Sequence, residues 1–74
     1  MEGKMKKRKD YLRLFLKYTR KHKIEFYVND DSEVDYAMIW ETEVELGACN
    51  YKLGTKAAYD WLVKAHKAKI ESEE

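Results

Sequence analysis

The first periodic segment of the chain has the repeat of an amphipathic helix. Between Asp10 and His22 apolar residues recur every three or four positions, which is the spacing of one helix face. The opposite side carries a row of cations, which we call the basic ridge: Lys9, Arg13, Lys17, Arg20 and Lys21. The pattern predicts a helix that buries one side and presents positive charge on the other.

An alternating segment follows and predicts a strand. Residues 24–28 place Ile24, Phe26 and Val28 on one side and polar or aromatic residues between them, which is the period of a half-buried strand. Tyr27 is expected on the outer side. The next four residues, 29–32, are all turn formers, so a hairpin turn is predicted there.

A longer alternating pattern, residues 34–46, occupies the middle of the chain and predicts a single long strand. The core-facing positions would be Val34, Tyr36, Met38, Trp40, Thr42, Val44 and Leu46. Their alternates, such as Ala37 and Ile39, would face solvent. Gly47 would end the strand in a turn.

The last third of the chain predicts a short strand and a second helix. Residues 49–53 alternate again and lead to Gly54, and Thr55 is a residue type that caps helix N-termini. A helical repeat then runs to Ile70, with lysines on the side opposite Ala58 and Leu62.

This order of elements predicts an α+β fold, α-β-β-β-α, in which two helices pack on one face of a three-stranded antiparallel sheet. We expect residues 10–70 to form the single domain. Residues 1–9 would be a flexible basic arm and residues 71–74 a frayed acidic tail.

Composition favours a folded domain over a disordered chain. Hydrophobic residues make up 45% of the 74 residues and aromatic residues 14%, which is enough for a core. A domain this short has a thin stability margin that dimerisation would widen. No apolar run approaches a membrane span, and the basic start lacks the apolar stretch of a secretory signal. We expect a cytoplasmic protein with no membrane partner. If the source is a virus, the expected location is the host cytoplasm.

Charge is sorted steeply along the chain although the net charge is only +1. Residues 1–23 hold ten Lys or Arg against two acids, and residues 24–51 hold eight acids and no Lys or Arg. The remaining residues are nearly balanced. Such sorting gives a folded molecule one positive and one negative region, and therefore predicts a charged partner.

Two glycine positions link the chain to a known family. Gly47 stands at the turn between the second and third predicted strands, and Gly54-Thr55-Lys56 opens the second helix. In these positions and in its five-element order the chain resembles a double-stranded-RNA-binding domain, over residues 10–70. That family reads RNA by shape across successive minor grooves, which implies phosphate contact by Lys56 and by the first helix. The acidic turn at residues 29–33 departs from the family, so we expect its topology here without its usual docking mode.

The main functional prediction is a small RNA-binding regulatory protein. The residues expected to contact nucleic acid are Lys6, Lys7, Arg8, Lys9, Arg13, Lys17, Arg20, Lys21 and Lys56. Each phosphate that they neutralise releases a counterion, so binding would be salt-sensitive. The size and the lysine- and glutamate-rich composition resemble accessory proteins that tailed bacteriophages use against host defences, which implies a host nuclease or toxin acting on RNA as the target.

Two alternatives use the acidic region instead. The residues Glu41, Glu43 and Glu45 would lie about 6.6 Å apart on one face of the long strand, with Asp35 further along the same face. They would imitate the phosphates of a nucleic acid to block a host protein. Alternatively the basic arm of one copy would lie against the acidic sheet of another and form a homodimer. The protein would then be an oligomerising structural or interaction protein without a nucleic-acid role.

Catalysis and cofactor binding are not predicted. Neither His22 nor His66 has a nucleophile or carboxylate at a telling spacing, so both are expected to be structural or solvent-exposed. The acidic turn lacks the glycine and the terminal glutamate of a calcium-binding loop. The single cysteine, Cys49, has no companions at metal-ligand spacing and is expected to be a small buried residue.

Overall fold

Two helices flank three consecutive strands in residues 10–72, the part of the chain that the computed structural model describes. The elements are α1 (Tyr11–Lys21), β1 (Ile24–Val28), β2 (Val34–Ile39), β3 (Val44–Gly47) and α2 (Lys56–Ser72). The strands form one antiparallel sheet in the order β1-β2-β3. The predicted α+β class and element order are confirmed, and the proposed arm, residues 1–9, lies outside the described residues.

Both helices begin at a side-chain cap. The Asp10 carboxylate accepts a hydrogen bond from the backbone N–H of Arg13 at 3.1 Å, and the Thr55 hydroxyl accepts one from the N–H of Ala58 at 3.2 Å. Each cap satisfies one of the backbone donors left open at a helix start. The predicted starts of both helices are confirmed, while α2 continues to Ser72, two residues beyond its predicted end.

The core lies between the two helices and one face of the sheet. Phe15 of α1, Leu62 of α2 and Val34 of β2 are fully buried. Phe15 also meets Phe26 of β1 edge to face, with ring centroids 4.9 Å apart, an orientation that aromatic quadrupoles favour. This contact joins α1 to the sheet. We call the side of the sheet that the helices cover the inner face.

The single long strand predicted over residues 34–46 is wrong. β2 ends at Ile39, the chain reverses through residues 40–43, and Val44 begins β3 directly opposite Ile39. Glu43 adopts a positive φ of 60° in this turn. Even-numbered and odd-numbered residues exchange sides when a hairpin reverses over four residues, which should have interrupted the alternation. It continued because Tyr36 and Met38 are apolar although they lie on the side of β2 away from Ile39 and Val44. Hydrophobic period alone therefore did not reveal the reversal.

A bulge in β2 overturns the predicted core face of that strand. Tyr36 lies opposite Tyr27 and Val34 lies opposite Val28, which leaves Asp35 as an extra residue without a partner. One extra residue moves the following side chains to the other side of a sheet. Ala37 is consequently buried, whereas Trp40 is 53% exposed.

The outcome for β2 is an exchange of predicted faces. Ala37 and Ile39, expected in solvent, contribute to the core. Tyr36 and Met38, expected in the core together with Trp40, turn away from the helices. The backbone N–H of Trp40 donates to the carbonyl of Lys23 at 3.0 Å, which extends the β1–β2 alignment by one pair.

The predicted strand at residues 49–53 is also wrong, since the third strand is formed by residues 44–47 instead. The later segment is a loop fastened to the start of β2. The N–H of Asn50 donates to the carbonyl of Val34 and the N–H of Val34 donates to the carbonyl of Tyr51, both at 2.8 Å. Asn50 has a positive φ of 66°, and Cys49 is buried as expected.

The other side of the sheet, which we call the outer face, carries Glu25, Tyr27, Tyr36, Met38 and Glu45. Directly opposed residues of antiparallel strands share a side: Met38 lies opposite both glutamates, and the two tyrosines oppose each other. The tyrosine rings are stacked at 6.2 Å with an interplanar angle of 18°. The predicted outward position of Tyr27 is confirmed.

Candidate nucleic-acid interface

Helix α1 displays the basic ridge because its apolar residues are drawn to the core. Arg13, Lys17, Arg20 and Lys21 are exposed, while Phe15 is buried on the opposite side of the helix. At 100° per residue the four cations lie within an arc of about 100°, and at 1.5 Å per residue they span about 12 Å. The helix therefore holds four positive charges in one row.

Most of this charge is not neutralised within the described chain. Within residues 10–72, no carboxylate forms an ion pair with Lys17, Arg20 or Lys21. Arg13 has a loose contact with Asp10, at 4.0 Å between Nε and Oδ2. Exposed pairs of this kind contribute little, so the ridge remains available to an external anion.

Lys56 has a closer carboxylate partner than any ridge residue within residues 10–72. Its Nζ lies 2.7 Å from Oδ2 of Asp60, one turn along α2, and this hydrogen bond raises the pKa of Lys56 above its ordinary value. Asp60 neutralises part of this charge, so Lys56 would attract phosphate less strongly than an unpaired lysine. The other predicted contacts, Lys6, Lys7, Arg8 and Lys9, lie outside the described residues.

The β1–β2 loop is an ordered acidic turn. The Asn29 side-chain oxygen accepts hydrogen bonds from the N–H groups of Asp31 and Glu33, at 2.9 and 3.0 Å, and Ser32 has a positive φ of 66°. The predicted turn is confirmed. Its carboxylates, Asp30, Asp31 and Glu33, would be repelled by phosphates.

The acidic loop also lies near one end of α1. The N–H of Leu53 donates to the carbonyl of Ser32 at 2.8 Å, and the neighbouring Gly54 lies against Leu12, with an ideal Cβ on Gly54 only 3.7 Å from that of Leu12. The loop is therefore near the first turn of α1. The last turn, with Arg20 and Lys21, is the more positive end of the ridge.

The acidic residues proposed as a nucleic-acid mimic do not share one strand. Glu41 and Glu43 lie in the β2–β3 turn, Glu45 lies on the outer face, and Asp35 is the bulged residue of β2. The even spacing on which the mimicry hypothesis depended requires an unbroken strand, which is absent from residues 34–46. That hypothesis therefore loses its geometric basis.

A tyrosine–histidine cluster joins α1 to α2, and sequence reasoning missed it. The hydroxyl of Tyr18 lies 2.8 Å from Nδ1 of His66, and the rings of His22 and His66 have centroids 4.5 Å apart. Burial, together with the charge of His22, lowers the pKa of His66, and burial raises the pKa of Tyr18. The cluster fixes the orientation of the helix that carries the ridge.

The only sequence signal for this cluster was the position of His66 one turn after Leu62 on the buried side of α2. Its partner Tyr18 is 48 residues earlier in the chain, so no local pattern connects them.

Within residues 10–72, no group of three or more metal-ligating His, Cys, Asp or Glu side chains is assembled. Neither described helix is long and apolar enough to cross a membrane.

Comparisons of the chain with protein-family models, with curated proteins and with solved structures find no match. The function must therefore be argued from the residues and geometry described above.

Proposed function

We propose that this protein binds RNA through the basic ridge of α1. The observation that supports the proposal is the row of four exposed cations on α1, three of them without an ion pair in residues 10–72. Lysine and arginine rows on a rigid helix favour phosphate contact because each neutralised phosphate releases counterions. The expected ligand chemistry is a polyanionic backbone.

The distribution of charge would orient the molecule on its ligand. The sheet and its turns contain eight carboxylates and no Lys or Arg from residue 24 to residue 51, whereas α1 presents the ridge on the helical side. A phosphate backbone would be attracted to one side of the domain and repelled by the other. Approach along the last turn of α1 avoids the acidic β1–β2 loop.

This mode of contact favours recognition of shape over sequence. Contacts to phosphate position a protein on a nucleic acid but carry no base information. The α-β-β-β-α order supports duplex RNA as the preferred form, because domains with this order read A-form geometry. The acidic loop repels phosphate and Asp60 partly neutralises Lys56, so binding would depend mainly on α1 and would be weak.

The first experiment is fluorescence anisotropy with a duplex RNA, a single-stranded RNA and a duplex DNA over a range of salt concentrations. Four phosphate contacts predict a slope of log affinity against log salt of roughly −3 to −4 for a duplex. Duplex RNA should bind more tightly than duplex DNA. Absence of binding at low salt would refute the proposal.

Charge reversal identifies the surface responsible. Arg13→Glu with Lys17→Glu should abolish binding, because two attractive contacts become repulsive. Lys64→Glu with Lys67→Glu is the matched control, since it makes the same change in net charge at exposed positions of α2. Equal loss in both variants would mean that net charge alone governs binding. The milder Lys17→Gln should reduce the salt slope by about one unit.

A further inference from the structure

The outer face of the sheet is an aromatic surface with acidic borders. Tyr27 is 51% exposed, and its ring stacks on that of Tyr36. The Tyr27 hydroxyl donates to Glu25, and burial, followed by the interaction with Glu45, raises the pKa of Tyr36. Neither glutamate has a cation partner within residues 10–72.

Trp40 extends this surface beyond the end of β2. Its pairing with Lys23 continues the β1–β2 register, and strand alternation places its side chain on the same side as Met38. Lys23 lies beside Trp40 through this pairing, and residues 24–51 contain eight carboxylates and no Lys or Arg. Aromatic rings beside carboxylates favour cationic side chains, which gain both cation–π and ionic contacts.

A complementary surface exists on α1 of the same molecule. Asp10, at the N-cap of α1, lines one end of a surface groove whose other lining residues are Leu12, Arg13, Leu16, Lys17 and Arg20. In this groove Leu12 and Leu16 are 42% and 39% exposed. We call the five groove residues after Asp10 the α1 flank. The flank combines aliphatic and cationic groups, whereas the outer face combines aromatic and anionic groups. The two surfaces are therefore complementary in charge, and both contain apolar groups that could pack together.

The two surfaces cannot meet within one molecule. α1 packs on the inner face, where Phe15 contacts Phe26, so the sheet separates the flank from the outer face. We propose that the α1 flank of one molecule docks on the outer face of a second copy. The two patches differ, so the contact is head-to-tail and can repeat along a chain of molecules.

The size of the outer face sets the strength of this contact. Strands about 4.8 Å apart and up to six residues long, at about 3.3 Å per residue, give a patch of roughly 300 Å². Stable interfaces bury about 800 Å² on each partner, and smaller ones are transient. The association is therefore weak, dependent on protein concentration and weakened by salt.

Sedimentation velocity on the full chain, without nucleic acid, tests the proposal. The average mass of the wild type should rise continuously from micromolar to millimolar protein at low salt and fall back at high salt. Arg13→Glu with Lys17→Glu inactivates the flank, and Glu25→Lys with Glu45→Lys inactivates the outer face. Each double variant alone should weaken association about tenfold or more, because like charges then meet.

Mixing the two double variants is the decisive step. Each variant retains one working surface that fits the working surface of the other, and the two reversed surfaces carry opposite charges, so an equimolar mixture should associate more strongly than either variant alone. Lys64→Glu with Lys67→Glu should associate like the wild type. All the altered side chains are exposed, so every variant should remain folded. Circular dichroism and urea unfolding check this.

Three results would overturn the proposal: a wild type that stays monomeric, a double variant that still associates alone, or a mixture that associates no more strongly than either variant alone. Loss of association on Lys6→Glu with Lys7→Glu, but not on reversal of the flank, would assign the outer face to the basic arm instead and would equally reject docking by α1. Because the measurement contains no RNA, its result is independent of whether the ridge binds nucleic acid.

Discussion

The helical layer and the sheet of this domain relate differently to their sequences. In α1 and α2 the buried positions recur every four residues, Phe15 and Thr19 in α1 and Ala58, Leu62 and His66 in α2, and the caps at Asp10 and Thr55 mark the starts. In the sheet, the apolar residues at alternate positions of residues 34–46 are divided between the two faces. Ala37 is buried and Trp40 is exposed, the reverse of what alternation predicts.

The difference follows from how each element propagates an irregularity. A helix has one continuous hydrogen-bond pattern, so its faces remain in phase from cap to cap. A strand exchanges its faces when one residue is added, and β2 and β3 each contain such an addition, next to Val34 and at Leu46 respectively. A small sheet with two bulges therefore needs its register to be known before its core can be named.

The largest expected effect comes from the contact that joins the two layers. Phe15→Ala should lower the free energy of unfolding by about 3 to 5 kcal/mol, because Phe15 is fully buried against Phe26. A domain of this length has a total stability of roughly 4 to 11 kcal/mol. Urea unfolding measures the change, with Leu16→Ala, an exposed position on the same helix, as the control. A similar small loss in both variants would show that α1 is not anchored through Phe15.

A smaller effect tests the exchange of faces in β2. Ala37→Leu should cost about 1 to 3 kcal/mol by overpacking a filled site, whereas Trp40→Ala should cost under about 1 kcal/mol because much of the ring is already in water. Both are measured by urea unfolding. Alternation without a bulge predicts the opposite ranking, so a larger loss for Trp40→Ala would contradict the register.

The smallest effect concerns the contact between the helices and depends on pH. Burial and the charge of His22 lower the pKa of His66 in the folded state. Near and below about pH 6.5 the His66 ring is therefore protonated more readily in the unfolded chain than in the folded one. Stability should therefore decrease as the pH falls from neutral through the ordinary histidine pKa of about 6.5, as measured by urea unfolding at each pH.

Carboxylates contribute to acid destabilisation as well, so a variant must isolate the histidine. His66→Phe combined with Tyr18→Phe removes the titrating ring and its hydrogen-bond partner together and leaves no buried hydroxyl unpaired. This double variant should lose less stability over the same pH interval than the wild type. An unchanged pH dependence would exclude His66 as the source.

The fold class, both helices, β1 and its turn were predictable because each has a local signal: a helical repeat, a capping side chain or a run of turn formers. The β2–β3 reversal was not, since Glu43 has no residue-type signal for its positive φ. For the candidate site, the exposed positions of Arg13, Lys17, Arg20 and Lys21 followed directly from helical period. The pairing of Lys56 with Asp60 was visible as an i, i+4 spacing but was not used, and the Tyr18–His66 contact had no local signal.

The order of the elements also has a consequence for how the chain assembles. Every strand pairs with its neighbour in sequence, so the contacts within the sheet are between residues close together in the chain. Domains dominated by such local contacts fold rapidly. The hydrogen bond between Tyr18 and His66 instead closes 48 residues of chain, and we expect it to form after the main folding barrier. Weakening it with Tyr18→Phe would then mostly accelerate unfolding and leave the refolding rate nearly unchanged. The contact between α1 and α2 would then form late in folding and would determine mainly the unfolding rate, and therefore the lifetime of the native state.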